Sequence, residues 1–430
     1  MKKLLIFLLA ALMLAGCGQQ PVQETETTEK NTVVLDLVTC YGVDDGNRKK
    51  YEQAIKTYEE MSGNRVWDRS SVSNEDWKNK VLTDFMTGSE PDVLFYFTNA
   101  DADPFVNAGK VVSIEEIREV YPDYATNMRE HLIAQAKDGM HYAVPASSYW
   151  ETLLVNKSVL TECGVPIPGP DYTWDQFLAD CETIKQNGYV PIACSLAEIP
   201  HYWFEFLLMN NGTVENHLDK PHLNGEGKLE MDETAEKWIA GLEDLKLLYD
   251  KGYFPESTLT SPDVETVAMY AEGQAAFLVD GSWKVSYLTE HYGNRLDNFI
   301  VSFFPGKGDR QATQVVGGIS MGYFITRKAW ENPEKRQAAV ELVFHMTSEE
   351  VLRSFVTTEM TALDTYLMPS GLNSLQRSAA DAYNQVTGMS TAVQDSISSD
   401  AKRELFANIQ NVVTGRMTPA QAVEAAVKQN

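Results

Sequence analysis

The chain has 430 residues, too many for one hydrophobic core, so at least two lobes are expected. With 43% hydrophobic and 10% aromatic residues it is globular rather than disordered. Its 61 acidic against 36 basic residues, a formal net charge of −25, argue against nucleic acid and an anionic lipid surface as partners.

The first residues read as a targeting segment. Lys2 and Lys3 precede an apolar run, Leu4 to Met13, that is too short to span a bilayer. Leu14-Ala15-Gly16-Cys17 then resembles a bacterial lipobox, which implies cleavage before Cys17 and lipidation of its sulfur. Gln19 to Asn31 is polar and acidic, a flexible tether reaching roughly 20 Å from a membrane anchor. Cys40, Cys163, Cys181 and Cys194 remain; none has CxxC spacing, which argues against zinc, and pairing or free thiols both stay open.

Val33 to Thr39 is a buried-strand pattern, and Arg48 to Met61 an amphipathic helix closed by Gly63. Val66-Trp67 predicts a second strand, Asn74 to Met86 a helix, and Val93 to Phe97 a third strand. This is β-α-β-α-β, the pattern of a parallel sheet, and it sets the loops Thr39–Asp44 and Tyr96–Asp101 on one edge. A short connector, Gly109 to Val112, leads to a helix over Ile114–Val120. Gly139 to Pro145 reads as a hairpin-type segment, and Thr152 to Val155 as an apolar strand. Thr173-Trp174-Asp175-Gln176 matches a capping box for a helix reaching about Gln186. Val190 to Ala193 is the next strand, followed by a loop ending in His201-Tyr202-Trp203 and an apolar helix, Phe204 to Met209. Asp232 to Tyr249 is a long helix with Trp238 on its core stripe.

Ala275 to Val279 is a short buried strand, and helix-type sequence starts at Lys284; between them lie Asp280-Gly281-Ser282-Trp283. The ends of strands leading into helices are where open α/β sheets bind ligands. One reading makes Trp283 a flat apolar wall and Asp280 a hydrogen-bond acceptor. The other buries Trp283 at the strand–helix corner and leaves Asp280 to cap the helix. Phe299 to Phe304 is a strand, Val315 to Ile325 an apolar run containing glycines, and Asn332-Pro333 and Thr418-Pro419 each start a helix with Pro at its first position. Gly318-Ile319-Ser320-Met321-Gly322 matches GxSxG, which raises a lipid-anchored carbohydrate-active hydrolase as the alternative. A nucleophile elbow needs a helix next, whereas Tyr323-Phe324-Ile325 continues as strand.

Several segments carry a resemblance when taken in order: GSEPDVLFY at 88–96, GMHYAVP at 139–145, LLVNKSVL at 153–160, TWDQF at 173–177, GQAAFLVDGSW at 273–283, FFPGKG at 303–308, VVGGISMGY at 315–323 and GRMTPAQAVEAA at 415–426. The chain resembles the extracellular solute-binding proteins, similar to maltose-binding protein, that feed ABC importers for sugars. The resemblance implies an α/β fold of two lobes, each a mostly parallel sheet flanked by helices, with a hinge between them. It implies a signal peptide over 1–16 and a lipid-anchored tether over 17–31. Residues 32–147 with 316–366 form one lobe, and 148–315 with 367–430 the other. The hinge crossings fall near Ala146–Ser148, Val315–Gly318 and Tyr366–Ser370, with Gly317 and Gly318 absorbing backbone change.

The resemblance also implies a mono- or oligosaccharide held in the interlobe cleft. Tyr96, Thr98 and Asn99 follow the PDV strand, Tyr149 stands eight before the Lys of the NK pair, Tyr202 and Trp203 precede the FEFLL helix, and Trp283 closes the GSW turn. Tyr41 and Asp280 complete this ligand set. The chain departs from glucan-binding members at Ser399-Asp400-Ala401-Lys402, where an aromatic can stand, which implies a different subsite pattern or a shorter ligand. The expectation is a monomeric binding protein, not an enzyme, without cofactor, exported and anchored outside the bacterial membrane, with an ABC permease as its protein partner. Aromatic rings suit the C–H faces of a pyranose, and amides and carboxylates its hydroxyl rim.

Overall fold

The computed structural model of the protein describes residues 32–146, 148–355, 361–365 and 371–430. β1 (Val34–Val38) leads to α1 (Arg48–Ser62), which stops where Gly63 takes φ 74°, a left-handed cap that L side chains resist. β2 (Arg65–Asp68), α2 (Glu75–Thr87) and β3 (Val93–Phe97) complete the unit anticipated above, with β1 parallel to both neighbours. α2 begins at Asn74, whose side chain accepts the Trp77 amide and so satisfies one open donor of the first turn. α3 (Asp103–Asn107) and α4 (Ile114–Val120) follow, then β4 (Ala143–Pro145).

The chain then enters a second sheet through β5 (Tyr149–Asn156). α5 (Lys157–Cys163), α6 (Trp174–Gln186), β6 (Val190–Ala193), α7 (His201–Asn210), α8 (Glu233–Asp250), α9 (Asp263–Ala271), β7 (Ala275–Gly281), α10 (Trp283–His291), β8 (Phe299–Ser302) and β9 (Gln314–Gly318) come next. β10 (Met321–Ile325), α11 (Arg327–Glu331), α12 (Pro333–Met346) and α13 (Glu349–Phe355) return to the first sheet. α14 (Ser374–Tyr383), β11 (Gly388–Ser390), α15 (Ser399–Val413) and α16 (Pro419–Val427) belong with the second. The capping boxes at Thr173 and Thr418 are both formed.

The first sheet has the order β2-β1-β3-β10-β4, and the second β11-β9-β5-β7-β6 with β8 also on β5. Strand direction departs from the mostly parallel expectation. β10 is antiparallel to β3 and β4, and β5 is antiparallel to β7, β8 and β9. The physical reason lies in the connections. β5 and β10 arrive from the other sheet rather than through a helical crossover, and only a crossover obliges a strand to run parallel.

Each sheet is covered on both faces, and the side chains sort by the two-residue period of a strand. In the first sheet Leu35, Leu37, Val93, Phe95 and Tyr323 pack under α1 and α12, while Val38, Leu94, Tyr96 and Phe324 pack against Trp77, Phe85 and Phe105. In the second, Leu153, Val155, Phe277 and Val279 face α6, α7, α8 and α15, while Trp150, Leu154 and Leu278 face α9 and α14.

The single apolar run from Val315 to Ile325 is two strands in two sheets. Val315–Gly318 lies in β9, so the residues from 316 that sequence places with the first lobe sit in the second sheet. The chain leaves it at Ile319-Ser320, where the Ser320 carbonyl accepts the Thr98 amide at 2.8 Å. Gly317 is required by close approach, since a Cβ there would lie 2.7 Å from the Tyr149 carbonyl oxygen. The other early crossing is the β4–β5 link at 146–148. The expected third one, Tyr366–Ser370, lies outside the described residues, as do Cys17 and the rest of the leader and tether. Cys40, Cys163, Cys181 and Cys194 are all free thiols.

Candidate functional site

The stretch after β7 has a steric logic. The Trp283 ring folds back onto Gly281, where an added Cβ would lie 2.1 Å from the ring. Gly281 therefore makes the seat of the indole. The ring stays 38% exposed, so it is not the buried corner that sequence leaves open. Two tyrosines flank it. Tyr149, first in β5, has its ring centroid 6.1 Å away, and Tyr202, second in α7, 5.9 Å away. Both are half-buried. Three elements of the second sheet thus converge on one aromatic group.

The first sheet faces this group with the loop after β3. Asn99 donates from Nδ2 to Asp395 Oδ1 at 2.6 Å, and Tyr149 donates from its hydroxyl to Asp395 Oδ2 at 3.3 Å. Asn99, Tyr149 and Asp395 therefore form one polar line across the two sheets. Burial pushes the Asp395 carboxyl up to about 6, the Asn99 hydrogen bond opposing and the nearby Glu205 adding to the rise. Glu205, fully buried on α7, accepts the backbone amides of Val393 at 2.8 Å and Gln394 at 3.1 Å, which holds the turn carrying Asp395. Glu151, two residues after Tyr149 on β5, is 1% exposed, and its Oε2 has no hydrogen-bond partner among the described residues. Burial lifts its carboxyl well above the usual range, and Glu205, Asp280 and Asp395 lift it further.

A second contact between the bodies is ionic. Asp101, beyond the same loop, meets Lys402 Nζ at 2.8 Å, Ser399 Oγ at 2.9 Å and Lys78 Nζ at 3.3 Å. Burial alone would raise the Asp101 carboxyl, but Lys78 and Lys402 outweigh it and hold it below its ordinary value. Next to this pair, burial pushes His201 down to about 3, so its imidazole is neutral, and its ring stacks on Phe406 at 5.0 Å. A third contact pairs Lys49 of α1 with Glu290 of α10.

Of the residues singled out in the sequence, Asn99, Tyr149, Tyr202 and Trp283 come together, with Thr98 beside Asn99 and bonded through its amide to the crossing at Ser320. Three others are packed away from the group. Tyr41 lies in the first core, stacked on Phe95 at 5.5 Å. Tyr96 points to the opposite face of β3, under Trp77 and Phe105, and is fully buried. Trp203 is 1% exposed among Phe177, Phe254 and Phe304. The expected loop at His201-Tyr202-Trp203 is the first turn of α7, so adjacent residues point about 100° apart, Tyr202 outward and Trp203 into the core. Asp280 is 1% exposed and neither lines the aromatic group nor caps α10. It pairs with Lys284 at 3.0 Å, and burial raises its carboxyl to about 6.

Sequence reading missed Asp395, Glu151, Glu205 and Lys402. Glu151 and Glu205 left a signal, each being a lone acid in an apolar run, and Lys402 lay in the segment already marked as a departure. Asp395 left none.

The arrangement can hold a flat, hydroxyl-rich molecule. The GxSxG match at Gly318–Gly322 runs strand, turn, strand, without the helix an elbow needs. Among the described residues no three His, Cys, Asp or Glu side chains are placed to hold a metal ion.

No relative is found among curated protein sequences. Solved structures share the fold. A chitin oligosaccharide binding protein superposes with a TM-score of 0.77 at 22% identity, covering 92% of this chain and 98% of that one. A solute-binding protein, RafE, in complex with raffinose gives 0.73 at 18% identity, covering 92% and 99%. The maltose/maltodextrin-binding domain MalE of Bdellovibrio bacteriovorus, bound to maltotriose, gives 0.67 at 19%, covering 92% and 98%. All are two-lobed binding proteins, and residues 53–391 of this chain match the family model described as bacterial extracellular solute-binding protein. The chain, with its aromatic group set between two sheets, therefore belongs to the bacterial extracellular solute-binding proteins, a family of binding proteins rather than enzymes.

Proposed function

We propose that this protein captures a carbohydrate between its two lobes and delivers it to the permease of an ABC importer. The observation that carries the reading is the aromatic group Tyr149, Tyr202 and Trp283, edged by the Asn99–Asp395 line. One pyranose face lies on the exposed Trp283 ring, and the ring hydroxyls meet Asn99, Thr98 and Asp395. The resemblance of the fold to structures named for chitin oligosaccharide, raffinose and maltotriose supports a sugar.

Closure follows from the placement of these groups. Trp283 belongs to one lobe and Asn99 to the other, so a sugar touches both only when they are together, and it shifts the population towards the closed form. The pivots are the links at 146–148 and Ile319-Ser320, with Gly317 and Gly318 at the second. The lobes divide there, 32–147 with β10 to α13 against 148–318 with the C-terminal helices. The closed, loaded form is what the permease recognises.

Membership of the family places the protein outside the cytoplasm, and no described helix is long and apolar enough to cross a membrane. We infer that residues 1–16 are removed, that Cys17 carries the lipid, that residues 17–31 tether a monomer to the outer face, and that Cys17→Ala releases the protein into the medium. A calorimetric screen of mono- and oligosaccharides is expected to find a ligand that is recovered unchanged. No binding across a broad panel, or turnover of the sugar, would rule the reading out.

A further inference from the structure

Among the described residues no cation is paired with Glu151. Glu151 shares its face of β5 with Tyr149 and is paired across the sheet with Gly281, the seat of the Trp283 ring. It is 1% exposed, and its Oε2 has no partner among the described residues. Glu205 on α7 and Asp395 on the turn that Glu205 holds are its acidic neighbours. The cations nearby are engaged elsewhere. Lys78 and Lys402 are both on Asp101, and Lys284 lies 3.0 Å from Asp280 and 3.2 Å from Asp263. His217 sits on the far carboxylate, with Nε2 3.1 Å from Glu205 Oε2. Glu151 and Asp395 thus both lie beside one aromatic platform, and Glu151 keeps an unpartnered oxygen. Such a group costs stability unless a positive charge or protons neutralise it.

Resting on the carbohydrate reading above, we propose that the ligand is an amino sugar, a 2-amino-2-deoxyhexose or a short oligomer of one, whose ring lies on Trp283 and whose ammonium group is taken by Glu151, with Asp395 as the second acceptor. An ammonium supplies the charge and the hydrogen-bond donors that Glu151 lacks, and it gains from lying beside aromatic faces. A metal ion does not serve, since no described trio of ligands is placed for one.

The test is titration calorimetry at about pH 6.5, where a sugar amine with a pKa near that of an α-amino group, about 8, stays protonated. Glucosamine, N-acetylglucosamine and glucose are compared as monomers and as their short β-1,4-linked oligomers. The amine forms are expected to bind about tenfold or more tightly than the acetylated and neutral forms. Glu151→Gln, close in shape and uncharged, is expected to remove the preference for the amine forms. Neutral or acetylated forms binding as tightly as the amine would overturn the amino-sugar proposal and leave the carbohydrate reading standing. So would an unchanged preference in Glu151→Gln. Failure of these and of a wider sugar panel would overturn both.

Discussion

At the scale of single residues, Trp283 and Gly281 act as one unit. The indole rests where a side chain on residue 281 would have to be, so Gly281→Ala is expected to displace the ring and weaken sugar binding nearly as much as Trp283→Ala does. Burying a large aromatic face contributes roughly 1.5–3 kcal/mol, which sets the expected loss for Trp283→Ala at about ten- to a hundredfold in Kd. Its thermal midpoint should barely move, because the ring is 38% exposed and lies outside the cores. A large fall in the midpoint would return Trp283 to a structural role. Asp395 carries a pH signature. Its carboxyl titrates near 6 in the folded protein against about 3.9 in an unfolded chain. The sign follows: below about 4 both states are protonated and nothing is lost, whereas above about 6 the folded state carries the cost of ionising a buried group. Asp395→Asn is thus expected to raise the thermal midpoint at pH 8 and leave it unchanged at pH 4, by calorimetry at both.

At the scale of elements, most of the frame was legible in the sequence because local rules decide it. Asn74, Thr173, Asn332 and Thr418 cap helices where the sequence places them, and Gly63 and Gly88 end helices in left-handed backbone. What was not legible depends on partners far along the chain. Nothing local in Val315–Ile325 says that Val316 hydrogen-bonds in one sheet and Tyr323 in the other. Tyr202 and Trp203 are adjacent aromatics, and only the phase of α7 sends one to the site and the other to the core. The Asp101–Lys402 pair is another product of distance, 301 residues apart in sequence. Lys402 is buried on α15 and joins the two lobes. Lys402→Met should leave Asp101 paired with Lys78 and Ser399 and remove the buried ion pair between the lobes, the Asn99–Asp395 and Lys49–Glu290 contacts remaining. The ligand-free protein is then expected to open, with a larger radius of gyration by small-angle scattering, and to close again on adding sugar. An unchanged radius would show that the bridge does not hold the lobes together.

At the scale of the whole molecule, the site draws residues from the elements around both sheets. Neither half carries it alone: the aromatic group needs β5, α7 and α10 of one lobe, and the polar line needs Asn99 of the other. The chain passes between the sheets where β4 meets β5 and again at Ile319-Ser320, and these links are the pivots of the proposed closure. Replacing Gly317 with Val would set a side chain within 2.7 Å of the Tyr149 carbonyl oxygen. It is expected to destabilise the second link, to be read as a lower thermal midpoint together with weaker ligand binding. The most direct test of the central claim is a calorimetric titration of the whole protein with a panel of carbohydrates, followed by chromatography of the recovered ligand. A saturable one-to-one complex with an unaltered sugar, lost in Trp283→Ala, is the expected result. Absence of binding by any sugar in the panel, or recovery of cleaved products, would contradict it.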